Sequence, residues 1–219
     1  ELDELEAAES FFDFRVADIA MGSGHFLVAA VDHIEARFSR YLVRRPLPLI
    51  AKELDYLRKA ALEALGDSAD TYPPFEDNAL LRRQIARRCI YGVDVNEVAV
   101  QLARLAIWVH TFVPGLPLSL LDRNLVHGNS LVGVGQLDEF NKSIEDSAMP
   151  LFQMDAKTFL SDASESLARL GRIADATKAE IQQARKAWRE ADAAIKPTRA
   201  LCDILTAARI EDAEFPILL

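Results

Sequence analysis

The residues best suited to chemistry lie in a glycine-bearing turn between a predicted strand and a predicted helix. The strand covers residues 14–20, and Gly22-Ser23-Gly24 follows it. Glycines allow a backbone to approach a ligand closely, and the first turn of a helix offers free N–H groups. Asp18 lies at the carboxyl end of the strand, where open α/β sheets bind their ligands. This arrangement predicts a binding site for a nucleotide-like ligand.

A second carboxylate, Asp94, ends the next predicted strand. In that position it can accept hydrogen bonds from both ribose hydroxyls of an adenosine. The dinucleotide fingerprint requires a third glycine, and an acid about 20 residues further on. Here the helix continues as His25-Phe26-Leu27 without the third glycine, and Asp94 lies 70 residues after Gly24. The pattern therefore disfavours a nicotinamide cofactor and remains compatible with an adenosine-type ligand.

The elements that must position these residues alternate between strands and helices, which predicts a parallel sheet covered by helices. We expect an α/β fold with a partial Rossmann-like core, in which a helical insertion over about 47–88 separates the first helix from the second strand. In chain order, the predicted elements are a strand over 14–20, a helix that ends at Pro46 and Pro48, helices over 50–66 and 78–88, a strand over 89–94, a helix N-capped by Asn96, and a loop with a third strand within 125–135.

Two apolar patterns predict helices that pack along one side. In the helix after Asn96, the pattern consists of Val98, Leu102, Leu105, Val109 and Phe112. From Leu160 to Ile195, apolar residues recur at alternating steps of three and four, which is typical of a coiled-coil seam. We expect this arm to end at Pro197 and to be followed by a returning helix over 198–211 that packs antiparallel to it. An intermolecular coiled coil is the alternative.

Charge and pattern together divide the chain into three predicted parts: an acidic segment over 1–13, the partial core over 14–150 and a helical arm over 151–219. The net charge is −9, and the first thirteen residues hold six acids and no base.

Residues 34–88 hold eleven bases and eight acids. Nucleic-acid binding normally leaves a basic footprint, which the whole chain lacks. The arginines at helical spacing could form a basic patch, but we favour a solvated face for them: 37, 40, 44 and 45, and 82, 83, 87 and 88.

Composition predicts a cytoplasmic protein without a membrane span. Half of the residues are apolar and 27% are charged, as in a globular protein with a sizeable core. No apolar run approaches the ~20 residues that a membrane span needs, and no basic, apolar leader opens the chain. Cys89 and Cys202 lie far apart, and the four histidines share no ligand spacing. We therefore expect a reduced setting and no metal site.

The three motifs in order resemble those of one enzyme family. Asp18-Ile19-Ala20-Met21-Gly22-Ser23-Gly24-His25-Phe26 resembles the S-adenosylmethionine-binding motif of N6-adenine DNA methyltransferases, (D/N/E)-P-A-x-G-S-G-x-F, with Ile19 in place of the proline. Residues 90–96 are similar to the second motif of that family, and residues 116–133 to its third-motif region. The resemblance covers roughly residues 12–135. It points towards the large restriction–modification methyltransferases of types I and IIG and the related phage-defence methylases.

The resemblance implies S-adenosylmethionine as the cofactor and assigns residues to each part of it. The residues of the first motif should surround the methionine portion: Asp18, Ala20, Met21, Gly22, Gly24, His25 and Phe26. Asp94 should bind the ribose, with Val95 against the adenine. Asn129 stands where the family usually has an aspartate that contacts the adenine ring or its amino group. An asparagine can accept a hydrogen bond there, although it carries no charge.

The catalytic motif of that family, Asn/Asp-Pro-Pro-Tyr/Phe/Trp, is missing from this sequence. Tyr72-Pro73-Pro74-Phe75 contains the prolines but lacks the leading residue and precedes the second motif. We therefore assign no catalytic residue and expect a fragment of a larger enzyme, in which other parts bind the DNA and a restriction or specificity subunit is a further partner. The alternatives are a methyltransferase for RNA or protein, and a non-catalytic helical interaction module.

Overall fold

The computed structural model describes residues 6–8, 10–72, 75–117, 121, 123–133 and 173–210. The helical and strand elements of these residues follow the predicted order closely. They are β1 (Val16–Asp18), α1 (His25–Arg44), α2 (Pro48–Leu65), a 3-10 helix (Gly66–Thr71), α3 (Asp77–Cys89), β2 (Ile90–Asp94), α4 (Glu97–His110), β3 (Leu125–His127) and α5 (Lys178–Ile210).

The three strands form a parallel sheet in the order β1-β2-β3. Asp18 is paired with Gly92, and Asp94 is paired with His127, so that β2 extends two residues beyond the end of β1. Because parallel strands end at the same edge, the carboxyl ends of all three strands lie side by side. This is the α/β arrangement of parallel strands with helices that the sequence predicts, and it is compatible with a partial Rossmann-like core.

Helices α1 and α2 bury one face each, as their apolar spacing predicts. The buried residues of α1 are Leu27, Val31 and Ile34, and those of α2 include Ile50, Leu54 and Leu57. The sequence pattern predicts Pro48 at the end of α1, but Pro48 is the first residue of α2. A proline fits there because the first N–H of a helix has no intrahelical acceptor. Helices α2 and α3 lie between α1 and β2, within the range of about 47–88 over which the sequence predicts an insertion.

Helix α3 is buried on nearly all sides although it carries four arginines, and this corrects the prediction of a solvated basic face. Arg83 and Arg87 are 2% and 1% exposed. The Nε atom of Arg87 lies 2.8 Å from the Asp175 carboxylate, which is equally buried. Arg83 donates to the carbonyl oxygen of Asp175 at 3.1 Å. Burial lowers the pKa of each of these two arginines to about 10, a value at which both remain charged at neutral pH.

Helix α4 presents the opposite face to the one that the apolar pattern predicts. Its buried residues are Val100, Ala103 and Ile107. The residues of the predicted face are 49 to 66% exposed: Val98, Leu102, Leu105, Val109 and Phe112. On the buried face Gly24 approaches Ala103 so closely that a Cβ atom at Gly24 would lie 3.0 Å from the Cβ of Ala103.

The described part of the predicted arm, residues 173–210, differs from the prediction at its beginning and around Pro197. Residues 173–177 are not helical, so the seam is not continuous from Leu160, and its part over 160–172 lies outside the described residues. Helix α5 continues through Pro197 instead of ending there, and the predicted return over 198–211 is part of the same helix up to Ile210. A proline within a helix removes one hydrogen bond, at a cost of about 3 kcal/mol.

The contacts divide the chain into two compact units. The first comprises Glu1–Gly128 and Ile173–Ala184, and the second comprises Asn129–Arg172 and Arg185–Leu219. The three-part division of the sequence stays a prediction. In the described ranges, every helix is too short or too polar to cross a membrane.

The buried pair of Arg87 and Asp175 generates a stability prediction. Asp175→Asn keeps the size of the side chain and tolerates the left-handed backbone at this position (φ 56°), but removes the buried negative charge that lies against Arg87. We expect a loss of about 3 kcal/mol in the free energy of unfolding. Chemical denaturation measures it.

The control for this substitution is Asp192→Asn, which breaks the half-exposed pair with Arg199. Exposed pairs contribute less than about 1 kcal/mol, so this variant should unfold nearly as the wild type does. Equal losses in the two variants would contradict the role of Asp175.

Candidate functional site

The turn after β1 is held by hydrogen bonds from both sides. The carboxylate of Asp18 accepts from the backbone N–H of Ala20 at 3.0 Å, which closes the turn locally. The N–H of Met21 donates to the carbonyl of Val93 at 3.1 Å, and the N–H of Gly24 to the carbonyl of Met21 at 2.9 Å. The turn is therefore fixed to β2 before α1 begins.

The carboxylate of Asp94 connects this turn to the loop after β2. Its Oδ2 accepts from the N–H of Gly22 at 2.8 Å, and its Oδ1 accepts from the N–H of Asn96 at 2.8 Å. Each oxygen keeps a second lone pair with which it can accept from a ligand hydroxyl. Asn96 in turn caps α4, because its side chain accepts from the N–H groups of Val98 and Ala99. The predicted N-cap is thus confirmed.

The same two hydrogen bonds lower the pKa of Asp94. The N–H of Asn96 has the largest effect, followed by that of Gly22, and both favour the charged carboxylate. The stabilisation that comes from these two hydrogen bonds is fully present at any pH above the usual pKa of an aspartate. It is lost only as the pH falls through the lowered pKa. The carboxylate is therefore charged at neutral and mildly acidic pH.

Three glycines make this close arrangement possible. Gly22 and Gly24 have φ angles of 52° and 84°, a region that other residues avoid. A Cβ atom on Gly24 would lie 3.0 Å from the Cβ of Ala103 in α4, whereas one on Gly22 would meet nothing within 4 Å. A Cβ atom on Gly92 of β2 would overlap the sulfur of Met21. The turn can lie on β2 and against α4 only because two of these positions have no side chain.

The end of β3 adds two further contacts to the site. The N–H of Gly128 donates to the carbonyl of Asp94 at 2.9 Å. The Nε2 of His127 lies 2.9 Å from the carbonyl oxygen of Val95. The sequence did not indicate His127 or Gly92 as site residues. A signal for Gly92 exists, since a glycine inside a predicted strand often marks a close backbone approach.

The structure brings nine of the ten predicted site residues to this edge of the sheet. The residues from Asp18 to Phe26 form the turn and the first turn of α1, Asp94 ends β2, and Val95 follows it directly. The tenth, Asn129, belongs to the second compact unit, where its side chain accepts from the N–H of Leu131 at 2.9 Å. Three apolar side chains beside the polar groups are open to solvent, and they are Ile19 (58%), Phe26 (59%) and Val95 (69%).

The polar groups at this edge of the sheet fit an adenosine-type ligand with a charged amino-acid portion. A charged carboxylate matches ribose hydroxyls, which are hydrogen-bond donors. Gly24 supplies no side-chain cap to α1, and the first N–H groups of a helix have no intrahelical acceptors, so they can bind a carboxylate. The exposed side chain of Val95 offers an apolar surface for a flat ring.

An open groove of about 540 Å³ lies beside the turn, between α1 and α4. Its walls include Val28, Leu102 and Leu105, and Ser23 and His25 also line it. Neither Asp18 nor Asp94 belongs to its lining. We therefore do not assign the ligand of the turn to this groove.

The chain is similar to a protein of Methanocaldococcus jannaschii that is named "Putative type II restriction enzyme and methyltransferase". The two are 29% identical over 142 residues, which is 60% of this chain and 9% of that protein. No protein-family model matches the chain. No solved structure matches it either. The similarity supports the general class of restriction–modification methyltransferases, without a specificity for one base. Methyltransferases in general use S-adenosylmethionine.

The two glycines of the turn allow a matched pair of substitutions. Gly22→Ala and Gly24→Ala both place a side chain in the left-handed region, at a cost of about 1–2 kcal/mol. Only Gly24→Ala also forces a methyl group against Ala103. We expect it to destabilise the protein by at least about 1 kcal/mol more than Gly22→Ala, measured by chemical denaturation. Equal effects would show that α4 does not restrict the turn.

Proposed function

We propose that this chain is the S-adenosylmethionine-binding part of a site-specific DNA N6-adenine methyltransferase from a restriction–modification or phage-defence system. The observation that carries the proposal is the Asp94 carboxylate, which joins the Gly22 and Asn96 loops at the carboxyl ends of adjacent parallel strands. The similarity to the archaeal protein supports the methyltransferase class. Because the chain matches only 9% of that protein, the DNA substrate and the adenine specificity belong to the proposal.

In this proposal the turn holds the methionine portion of the cofactor and Asp94 holds the ribose. The free N–H groups at the start of α1 face the methionine carboxylate. Asp94 accepts from both ribose hydroxyls with the lone pairs that Gly22 and Asn96 leave available. Val95 packs against the adenine ring.

When bound, S-adenosylmethionine supplies a methyl group activated by its sulfonium. The residues of this chain contribute binding and orientation, which is the part of catalysis that converts an encounter into a unimolecular step. The rigid connection of the turn to β2, through Met21 and Val93, fixes the direction in which the methyl group is presented. The groups that hold the flipped adenine come from the parts of the enzyme that carry the Asn/Asp-Pro-Pro-aromatic motif.

A second candidate function is that of an interaction module. The four exposed apolar residues of α4 (Val98, Leu102, Leu105 and Val109) favour it, because a continuous apolar stripe on a helix is typical of a surface that another element covers. The two functions are compatible, since a cofactor-binding part of a long enzyme must also contact its other parts.

Calorimetric titration with S-adenosylmethionine tests the cofactor assignment. The wild-type chain should bind, and Asp94→Ala should bind at least about tenfold more weakly, because it loses the ribose acceptor and the contact with Gly22. Asp70→Ala is the matched control, since Asp70 is an exposed aspartate of the 3-10 helix outside the site. Identical binding by wild type and Asp94→Ala would refute the placement of the cofactor.

Methyl transfer separates the DNA proposal from its alternatives. The 219-residue chain alone should transfer no methyl group to DNA, because its sequence contains no catalytic tetrapeptide. A longer protein that contains this chain and an Asn-Pro-Pro-Tyr motif should produce N6-methyladenine, detected by mass spectrometry of digested DNA. Methylated RNA or protein without methylated adenine in DNA would favour the alternative substrates.

A further inference from the structure

The second half of α1 carries a basic face that the cofactor site does not use. Arg37, Arg40 and Arg44 follow each other at steps of three and four residues, so they share one face of the helix, and Arg45 comes directly after its end. All four side chains are exposed. This agrees with their predicted exposure and contrasts with the buried Arg83 and Arg87 of α3.

No acid in the described part of the chain neutralises this face. None of its four arginines has a carboxylate within 4.0 Å among the described residues. The two acids of α1 are engaged elsewhere. Asp32 pairs with His110 of α4 at 2.7 Å, and Glu35 pairs with Arg82 of α3 at 3.6 Å. A chain with a net charge of −9 therefore keeps four uncompensated positive charges together.

The dimensions of this face suit a phosphate backbone. Arg37 and Arg44 are separated by about 10 Å along the helix axis, which equals the rise of about three base pairs of duplex DNA. Guanidinium groups bind phosphate oxygens through paired N–H donors.

We propose that the α1 basic face (Arg37, Arg40, Arg44 and Arg45) contacts the phosphate backbone of duplex DNA. The proposal rests on the DNA substrate of the proposed function and deepens it. Arg37 lies about 18 Å along α1 from its first residue, and Arg44 about 28 Å. The face therefore holds DNA that flanks the target base, outside the cofactor site.

Fluorescence anisotropy with a duplex of random sequence, at several salt concentrations, tests this proposal. The variant Arg37→Gln/Arg40→Gln/Arg44→Gln removes three phosphate contacts from the chain. The slope of log affinity against log salt concentration should become shallower by about 3, and affinity at about 0.1 M salt should fall tenfold or more. Binding of S-adenosylmethionine should not change.

The control variant is Lys52→Gln/Lys59→Gln/Lys178→Gln, which removes the same charge from exposed positions of α2 and α5. It should keep the salt slope of the wild type. An unchanged slope in the arginine variant, an equal loss in the control, or a wild-type chain that does not bind duplex DNA would each overturn the proposal. A chain that binds duplex through these arginines but does not bind S-adenosylmethionine would support the basic face and refute the cofactor assignment.

Discussion

The candidate site depends on one carboxylate. Asp94 accepts hydrogen bonds from Gly22, 72 residues earlier in the sequence, and from Asn96, two residues later. Without it, the glycine turn after β1 would keep, among the described residues, only the hydrogen bond of Met21 to β2, and the backbone N–H of Asn96 before α4 would lose its carboxylate acceptor. Its two hydrogen bonds also keep it charged, which is the state that can accept from hydroxyl groups of a ligand.

The rest of the fold keeps β2 in the position that this carboxylate requires. Gly92 leaves room for Met21 above the strand, and Leu27 of α1 packs at the same place. At the other end, Asn124 donates from one side chain to the carbonyls of Arg87 and Ile90, and so connects the end of α3 to the beginning of β2. The buried Arg87 is itself neutralised by Asp175. The insertion between α1 and β2 is thus part of the core that supports the site.

Signals that act over a few residues made the glycine turn and the start of α4 predictable. Gly22 and Gly24 require a backbone that few other residues adopt, and Asn96 caps the helix that follows it. The alternation of strands and helices then sufficed to place Asp18 and Asp94 at one edge of a parallel sheet. The resemblance to adenine methyltransferases named a ligand, which the geometry of the turn can accommodate.

Structural features that depend on partners far away in the sequence could not be predicted. The burial of Arg87 requires Asp175, 88 residues later, and a helical pattern of arginines is the same whether a carboxylate meets it or water does. The spacing of Val98, Leu102 and Leu105 reveals an apolar face but not whether the chain covers it, and the structure buries the opposite face, where Ala103 lies against Gly24. Pro197 was predicted to end the helix because a proline removes a backbone hydrogen bond, although a long helix can contain one proline.

The most direct test of the central claim is a crystal structure of the chain with S-adenosylhomocysteine, the demethylated form of the proposed cofactor. The account predicts the ribose hydroxyls within hydrogen-bonding distance of both carboxylate oxygens of Asp94, with the amino-acid portion against the turn from Asp18 to Gly24. A ligand bound in the groove between α1 and α4, with Asp94 contacting only Gly22 and Asn96, would contradict it.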